Sequence, residues 1–271
     1  MTSRNHRESP MLIDGKDRLV YFSDLFSAYL RSKVDDHISS TDTMVNEWYM
    51  PVGASGARVV YGACVTSWVG KISNVLDLPC GHGRVLRHLV KLFPQANFDA
   101  ADLDHEGVNF CAERFGARPI YSREDLTCVD FGKKYDLIWV GSLFTHVSRE
   151  RMRVWLAHLS KFLAEGGIMV ATFHGRYSAL KGFEFGYIEK SRWQKTLRDY
   201  ETTGYGYADY PPQAGHTYME GAYGISLSKP EIILVDVEAI PGIRVFNYTE
   251  RGWAGHQDVL VIGKPDLSWT G

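Results

Sequence analysis

The sequence predicts an α/β fold with a mostly parallel sheet and an antiparallel hairpin at its C-terminal end. Three observations carry this. Apolar runs of strand length alternate with amphipathic runs of helix length across residues 74–173. A glycine-rich turn follows the first of those strands. Two late strand-like runs, 243–248 and 258–263, are joined by a short loop.

The elements follow in order. Phe22, Leu25, Phe26, Tyr29 and Leu30 fall on one helical face, which predicts a helix over about 21–33. A second helix is expected at about 57–69. Residues 1–73 therefore read as a helical segment packing on the core. Strands are expected at 74–78, 96–101, 118–121, 136–140 and 168–173, with helices at 83–92, 106–115 and 149–163. Gly116 ends one helix, and Gly166 and Gly167 turn the chain into the fifth strand. Strands that alternate with helices at this spacing imply right-handed parallel crossovers. Residues 74–174 form this core. Residues 175–227 break the pattern: they carry 11 aromatics with interspersed glycine and proline, and read as an insertion rather than a sheet unit. Ser228, Lys229 and Pro230 look like a helix start, with the serine as cap. Residues 228–271 then supply a helix and the hairpin that completes the sheet.

With 271 residues, 45% hydrophobic and 23% charged, the chain is long enough for one α/β domain with an extra segment. The net charge of -2 points to neither a nucleic-acid nor a membrane partner. Cys64, Cys80, Cys111 and Cys128 match no zinc spacing and are expected as reduced thiols of a cytoplasmic protein. No signal peptide is expected at the polar N-terminus, and no apolar run is long enough to span a bilayer.

The densest chemistry is the run Val75-Leu76-Asp77-Leu78-Pro79-Cys80-Gly81-His82-Gly83-Arg84. An apolar strand ends in an acid and turns through glycines that admit positive φ and close ligand approach. Ligands of open α/β sheets bind at the carboxyl ends of the strands, where the winding reverses. Leu86 stands where a dinucleotide fingerprint needs a third glycine. Asp102 ends the next strand and is placed to accept from ribose hydroxyls, with Leu103 beside it for an adenine face.

On these residues the chain resembles the class I S-adenosylmethionine-dependent methyltransferases, well over 74–173 and more loosely in the hairpin. Gly81 and Gly83 match the family's first motif, Asp102 its ribose acid, 136–140 its fourth-strand motif and 162–167 the turn before its fifth strand. The resemblance implies a seven-stranded, mostly parallel Rossmann-like sheet that binds S-adenosylmethionine and releases S-adenosylhomocysteine. Asp77, Pro79, Gly81, Gly83, Arg84, Asp102, Leu103 and Ser142 would line the cofactor. Pro79 replaces the family's usual first glycine, so the methionine end meets a differently shaped turn. Ser122 stands where many members place the acid for the adenine amino group, which leaves Asp125, or Glu124, to serve instead. The runs "LDLPCGHGR", "SLFTHV", "TFHG" and "HQDV" resemble a branch associated with sugar and glycan modification.

Methyl transfer to a hydroxyl also requires a proton acceptor. His146, His174 and His256 all fall after strand ends on the same rim, and His174 or His256 is the expected base. No metal is expected. The aromatic insertion reads as a lid over the acceptor, with Tyr205, Tyr207 and Tyr223, and with Trp253 and Arg251 from the hairpin loop, as candidate contacts; His216 and Glu220 are secondary candidates. The expected reaction is O-methylation of a small-molecule or glycan acceptor. The alternatives are N- or C-methylation of another metabolite, a non-catalytic binder of S-adenosylmethionine, and a nicotinamide dehydrogenase.

Overall fold

The computed structural model describes residues 12–186, 188–211 and 223–265. In chain order the strands are β1 (Leu12–Ile13), β2 (Lys16–Asp17), β3 (Asn74–Asp77), β4 (Asn97–Asp102), β5 (Arg118–Tyr121), β6 (Tyr135–Val140), β7 (Leu163–Phe173), β8 (Tyr205–Asp209), β9 (Gly224–Ser228), β10 (Arg244–Trp253) and β11 (Gln257–Gly263). The helices are α1 (Arg18–Arg31), α2 (Tyr49–Thr66), α3 (Leu86–Leu92), α4 (His105–Phe115), α5 (Arg149–Ser160), α6 (Arg176–Lys181), α7 (Lys190–Thr203) and α8 (Pro230–Glu238).

Seven strands form the main sheet in the order β10-β11-β7-β6-β3-β4-β5. The five from β7 to β5 are parallel, and β11 and β10 add antiparallel pairs. The chain winds outward from β3 in both directions, so the switch point lies at the carboxyl ends of β3 and β6. Strand alternation divides the core in two. Val75, Leu137, Trp139, Ile168 and Val170 face the layer of α1, α2, α3 and α4. Leu76, Ile138, Val140, Met169 and Ala171 face α5 and α8 through Met152, Leu156, Ile233 and Val237. Each buried valine, leucine, isoleucine or methionine among them stabilises the fold by roughly 1.5–3 kcal/mol relative to exposure.

Four expectations need correction. Helix α2 starts eight residues before the expected Ala57 and stops at Thr66. Gly53 and Gly56 disguise its first turns as loop, because glycine is a poor helix former. Both are small where α2 crosses α3; a Cβ on Gly53 would stand 2.2 Å from the Arg84 carbonyl oxygen. Helix α5 ends at Ser160, and β7 begins already at Leu163, with an irregular register before Leu137 of β6. The insertion contains a sheet of its own: β8 and β9 pair antiparallel, apart from the main sheet. Ser228 does not cap α8. It ends β9, and its hydroxyl donates to the His174 carbonyl at 3.5 Å, while Lys229 takes the cap position with no side-chain bond.

Candidate active site

The turn after β3 is built by main-chain bonds to both neighbouring strands. Leu78 N–H donates to the Trp139 carbonyl of β6, and Cys80 N–H to the Ala101 carbonyl of β4, both at 3.0 Å. The Leu78–Pro79 peptide is cis. Gly81 has φ +48°, a conformation that disfavours a side chain. Its carbonyl also lies against α4 so closely that a Cβ on Gly107 would come within 2.5 Å of it. Gly81 N–H donates to Asp102 Oδ2 at 2.7 Å, and Asp104 N–H donates to Asp102 Oδ1 at 3.0 Å. Burial nevertheless dominates at Asp102 and raises its carboxyl above the usual range.

A cleft of about 320 Å³ opens over this turn. Asp77, Pro79, Gly81, Arg84, Asp102, Leu103 and Ser142 line it. Asp77 is 1% exposed, and neither carboxylate oxygen has a partner among the described residues. Burial, and then the charge of Asp102, push its carboxyl well above the usual carboxylate range. Gly83 is not on the cleft; it packs its φ of +75° against Phe115 and Cys111 of α4. Asp125 is exposed and off the cleft lining, accepting from Thr127 N–H at the start of a short 3-10 helix. Its neighbours Ser122 and Glu124 reach the cleft instead.

Three contributions escaped the sequence reading. Asp42, Thr43 and Met44, from the segment between α1 and α2, line one side of the cleft. Arg87 of α3 is fully buried and ties that segment to the turn. Its guanidinium donates to the carbonyls of Asp35, His37, Gly83 and His82 and to the Tyr49 hydroxyl. An arginine on the apolar face of a helix, between Leu86 and Leu89, was the available signal. Trp139, on a central strand, and Trp155 and Arg151, on α5, also reach the cleft.

The three histidines fall close together but have different surroundings. His146 lines the cleft. Its Nδ1 lies 2.8 Å from the Gly224 carbonyl, which can only accept, so Nδ1 carries the proton and Nε2 keeps its lone pair. Burial lowers the ring's pKa to about 4, with the Gly224 bond opposing. Tyr210 hydroxyl stands 3.1 Å from the same Nδ1, and the Tyr223 ring 4.6 Å from the imidazole. His174 lies behind His146, 3% exposed and off the cleft lining, with ring centres 6.0 Å apart. Its Nδ1 has no hydrogen-bond partner among the described residues, and burial holds the ring well below the usual histidine range. His256 is farther out, 5.2 Å from His174, with Nε2 at 3.2 Å from Ser178 Oγ.

Strand β9 creates this arrangement. Main-chain bonds from Gly224 to His146, Ser226 to Thr145 and Ser228 to His174 fasten it across the ends of two segments of the main domain. Ser142, with φ +61°, donates its N–H to Thr172 Oγ1 and accepts at Oγ from Gln257 Nε2, which joins β6, β7 and β11 at the cleft floor. Trp253 lines the cleft and anchors to α2 through Nε1 and the Val52 carbonyl. Tyr223 lines it as well. The other expected contacts stand elsewhere. Tyr205 is buried and donates to the Val147 carbonyl, Tyr207 donates to Asp209, and Arg251 stacks on Tyr177. His216 and Glu220 lie outside the described residues. Among the described residues no cluster of histidine, cysteine and carboxylate suits a metal ion, and no helix is long and apolar enough to cross a membrane.

Comparison with known proteins bears on the fold. Residues 76–169 match a methyltransferase domain family. Malonyl-[acyl-carrier protein] O-methyltransferase 2 of Ilyobacter polytropus is 26% identical over 108 residues, 39% of this chain and 41% of that protein. The chain thus aligns with about two fifths of the length of this curated relative. Among solved structures, an S-adenosylmethionine-dependent methyltransferase from Clostridium acetobutylicum superposes with a TM-score of 0.53 at 14% identity, covering 91% of this chain and 98% of that one. The N-methyltransferase NodS of Bradyrhizobium japonicum, solved with S-adenosyl-L-homocysteine, gives a TM-score of 0.50 at 13% identity, covering 92% and 100%. The fold is that of the class I methyltransferases. The domain match and the fold together support an S-adenosylmethionine-dependent methyltransferase. The bare Asp77 carboxylate, the positive-φ Gly81 and the rim acid Asp102 suit that cofactor.

Proposed function

We propose that the protein transfers the methyl group of S-adenosylmethionine to a hydroxyl of a small acceptor, a sugar or glycan by preference, in the cytoplasm. One observation carries this reading: the unpartnered Asp77 carboxylate and the lone-pair nitrogen of His146 belong to residues of the same cleft. Bound S-adenosylmethionine supplies an activated methyl on a sulfonium, so the protein's work is position and electrostatics. Asp77 and the Pro79–Gly81 turn would hold the methionine end. Asp102 would accept from the ribose hydroxyls. Leu103, with Ser122 and Glu124 in place of Asp125, would flank the adenine.

His146 is the group best suited to take the acceptor's proton. It is neutral through physiological pH because its pKa is lowered to about 4. Such a weak base is adequate here, because a hydroxyl oxygen becomes strongly acidic as it gains a methyl group. His174 and His256 would then support His146 rather than meet the acceptor. Tyr223 and Trp253 supply aromatic walls for a sugar face, and the segment 175–227 acts as the lid. The name of the Ilyobacter relative, an O-methyltransferase, favours oxygen as the methylated atom.

The test is incubation with S-adenosylmethionine and a panel of hydroxyl, carboxyl and amine acceptors, reading S-adenosylhomocysteine and the mass of the product. Turnover on hydroxylated sugars is expected. Turnover on amines alone would replace O- by N-methylation. Cofactor binding without turnover on any acceptor would leave a non-catalytic binder.

A further inference from the structure

Two thiols lie under the cofactor turn. Cys80 follows the cis peptide, lines the cleft and donates its thiol to the Gly81 carbonyl at 3.3 Å. Cys111, one of the buried residues of α4, donates to the same oxygen at 3.4 Å. The two sulfurs therefore converge on one oxygen atom from either side of the turn. This pairing follows from a stripe on α4. Gly107, Cys111 and Phe115 recur at four-residue spacing and form the bed of the turn, touching Gly81 or Gly83 in succession. The remaining cysteines are apart: Cys64 is buried among α1 and α2, and Cys128 is exposed.

We propose that Cys80 and Cys111 form an oxidisable pair, a modification site that couples a hydroperoxide to the state of the cofactor turn. Hydroperoxide reaches Cys80 through the open cleft. The Cys80 sulfur attacks the peroxide, the O–O bond breaks, and Cys80 becomes a sulfenic acid as the peroxide is reduced to an alcohol or water. The Cys111 sulfur then displaces the hydroxyl from the Cys80 sulfur, releasing water and leaving a disulfide. Both thiol protons end in the leaving oxygens. A thiol reductant reverses the step. Contact with Cys111, burial and the carboxylates Asp102 and Asp77 push the Cys80 thiol well up, so the reaction calls for excess peroxide.

A disulfide requires the sulfurs to close to about 2.05 Å. That draws the turn toward α4, against a helix whose Gly107 already leaves no space below the Gly81 carbonyl. The Gly81-to-Asp102 bond must shift with it, and a displacement of this kind weakens cofactor binding by at least about tenfold. This second consequence rests on the cofactor reading above, whereas formation of the bond does not.

The experiment treats the full chain with excess hydrogen peroxide, with and without saturating S-adenosylhomocysteine, and reads intact mass, peptide maps and S-adenosylhomocysteine affinity. The expected result is loss of two hydrogens in a Cys80–Cys111 cross-linked peptide, slower when the cleft is filled, and weaker binding that dithiothreitol restores. In Cys111→Ala, oxidation is expected to stop at a Cys80 sulfenic acid that dimedone traps. Absence of the cross-link while exposed Cys128 is oxidised would overturn the proposal. A cross-linked protein that binds S-adenosylhomocysteine as well as the reduced one would overturn the coupling. Failure of the reduced protein to bind S-adenosylhomocysteine at all would instead count against the cofactor assignment.

Discussion

Asp77 and Asp99 sit on adjacent parallel strands, and both are buried, at 1% and 0% exposure. They differ in partners. Asp99 accepts from Arg118, Lys133 and the Tyr135 hydroxyl, at 2.6–3.1 Å, and these bonds hold its carboxyl below the usual range against the cost of burial. Asp77 has none of this and is pushed up. A buried carboxylate without partners costs several kcal/mol of desolvation. Among the described residues two cations and a hydroxyl serve one buried acid and none serves the other, which is what the proposed role of Asp77 in holding a ligand requires.

The comparison can be broken by substitution. The largest effect is expected at Asp77. Asp77→Asn should weaken S-adenosylhomocysteine binding by at least about a hundredfold, through loss of charge-assisted hydrogen bonds, and leave the melting temperature of the ligand-free protein unchanged or higher. Calorimetry and thermal unfolding report the two quantities. His146→Gln should lower kcat by about a hundredfold with S-adenosylhomocysteine affinity retained, whereas His174→Gln should do less. In the parent enzyme, kcat/KM should be flat from about pH 6 to 8, with its acid limb near the lowered His146 pKa of about 4. Asp99→Ala should cost about 2 kcal/mol of stability in urea unfolding, because it removes the acceptor shared by the Tyr135 hydroxyl and two partly exposed cations, while ligand affinity stays within about twofold.

The smallest and sharpest effect is the pH dependence of stability, where the two acids have opposite signs. The raised Asp77 pKa means the folded state holds that proton more tightly. Ligand-free protein should therefore lose stability relative to Asp77→Asn as pH rises above 3.8 toward the folded value. The lowered Asp99 pKa works the other way: its stabilisation is complete above 3.8 and is lost as pH falls through the folded value. Melting temperatures of the parent and the two variants, followed from acid to neutral pH, give both slopes.

What the sequence revealed and what it hid divide along the same line. Strand period, Gly81, Asp77 and Asp102 are local signals, and the mostly parallel sheet with its antiparallel hairpin and the glycine turn after β3 were legible from them. The acceptor side depends on contacts between distant segments. Nothing in Tyr205 or Tyr223 tells that one is buried against Val147 and the other reaches the cleft; β9 decides it by bonding to residues 144–146 and His174. The same strand covers His174 and leaves His146 on the cleft, a distinction that strand-end position alone does not make. The segment contributing Asp42, Thr43 and Met44 has no periodicity to read, and its anchor, Arg87, lies 43 or more residues later in the chain.

The most direct test of the account is calorimetric titration of the purified protein and of Asp77→Asn with S-adenosylhomocysteine, with NADH as control. The account predicts micromolar binding of S-adenosylhomocysteine alone to the parent protein and its loss in the variant. Equal binding to both proteins, or binding of NADH in its place, would contradict the assignment of Asp77 and its cleft to S-adenosylmethionine.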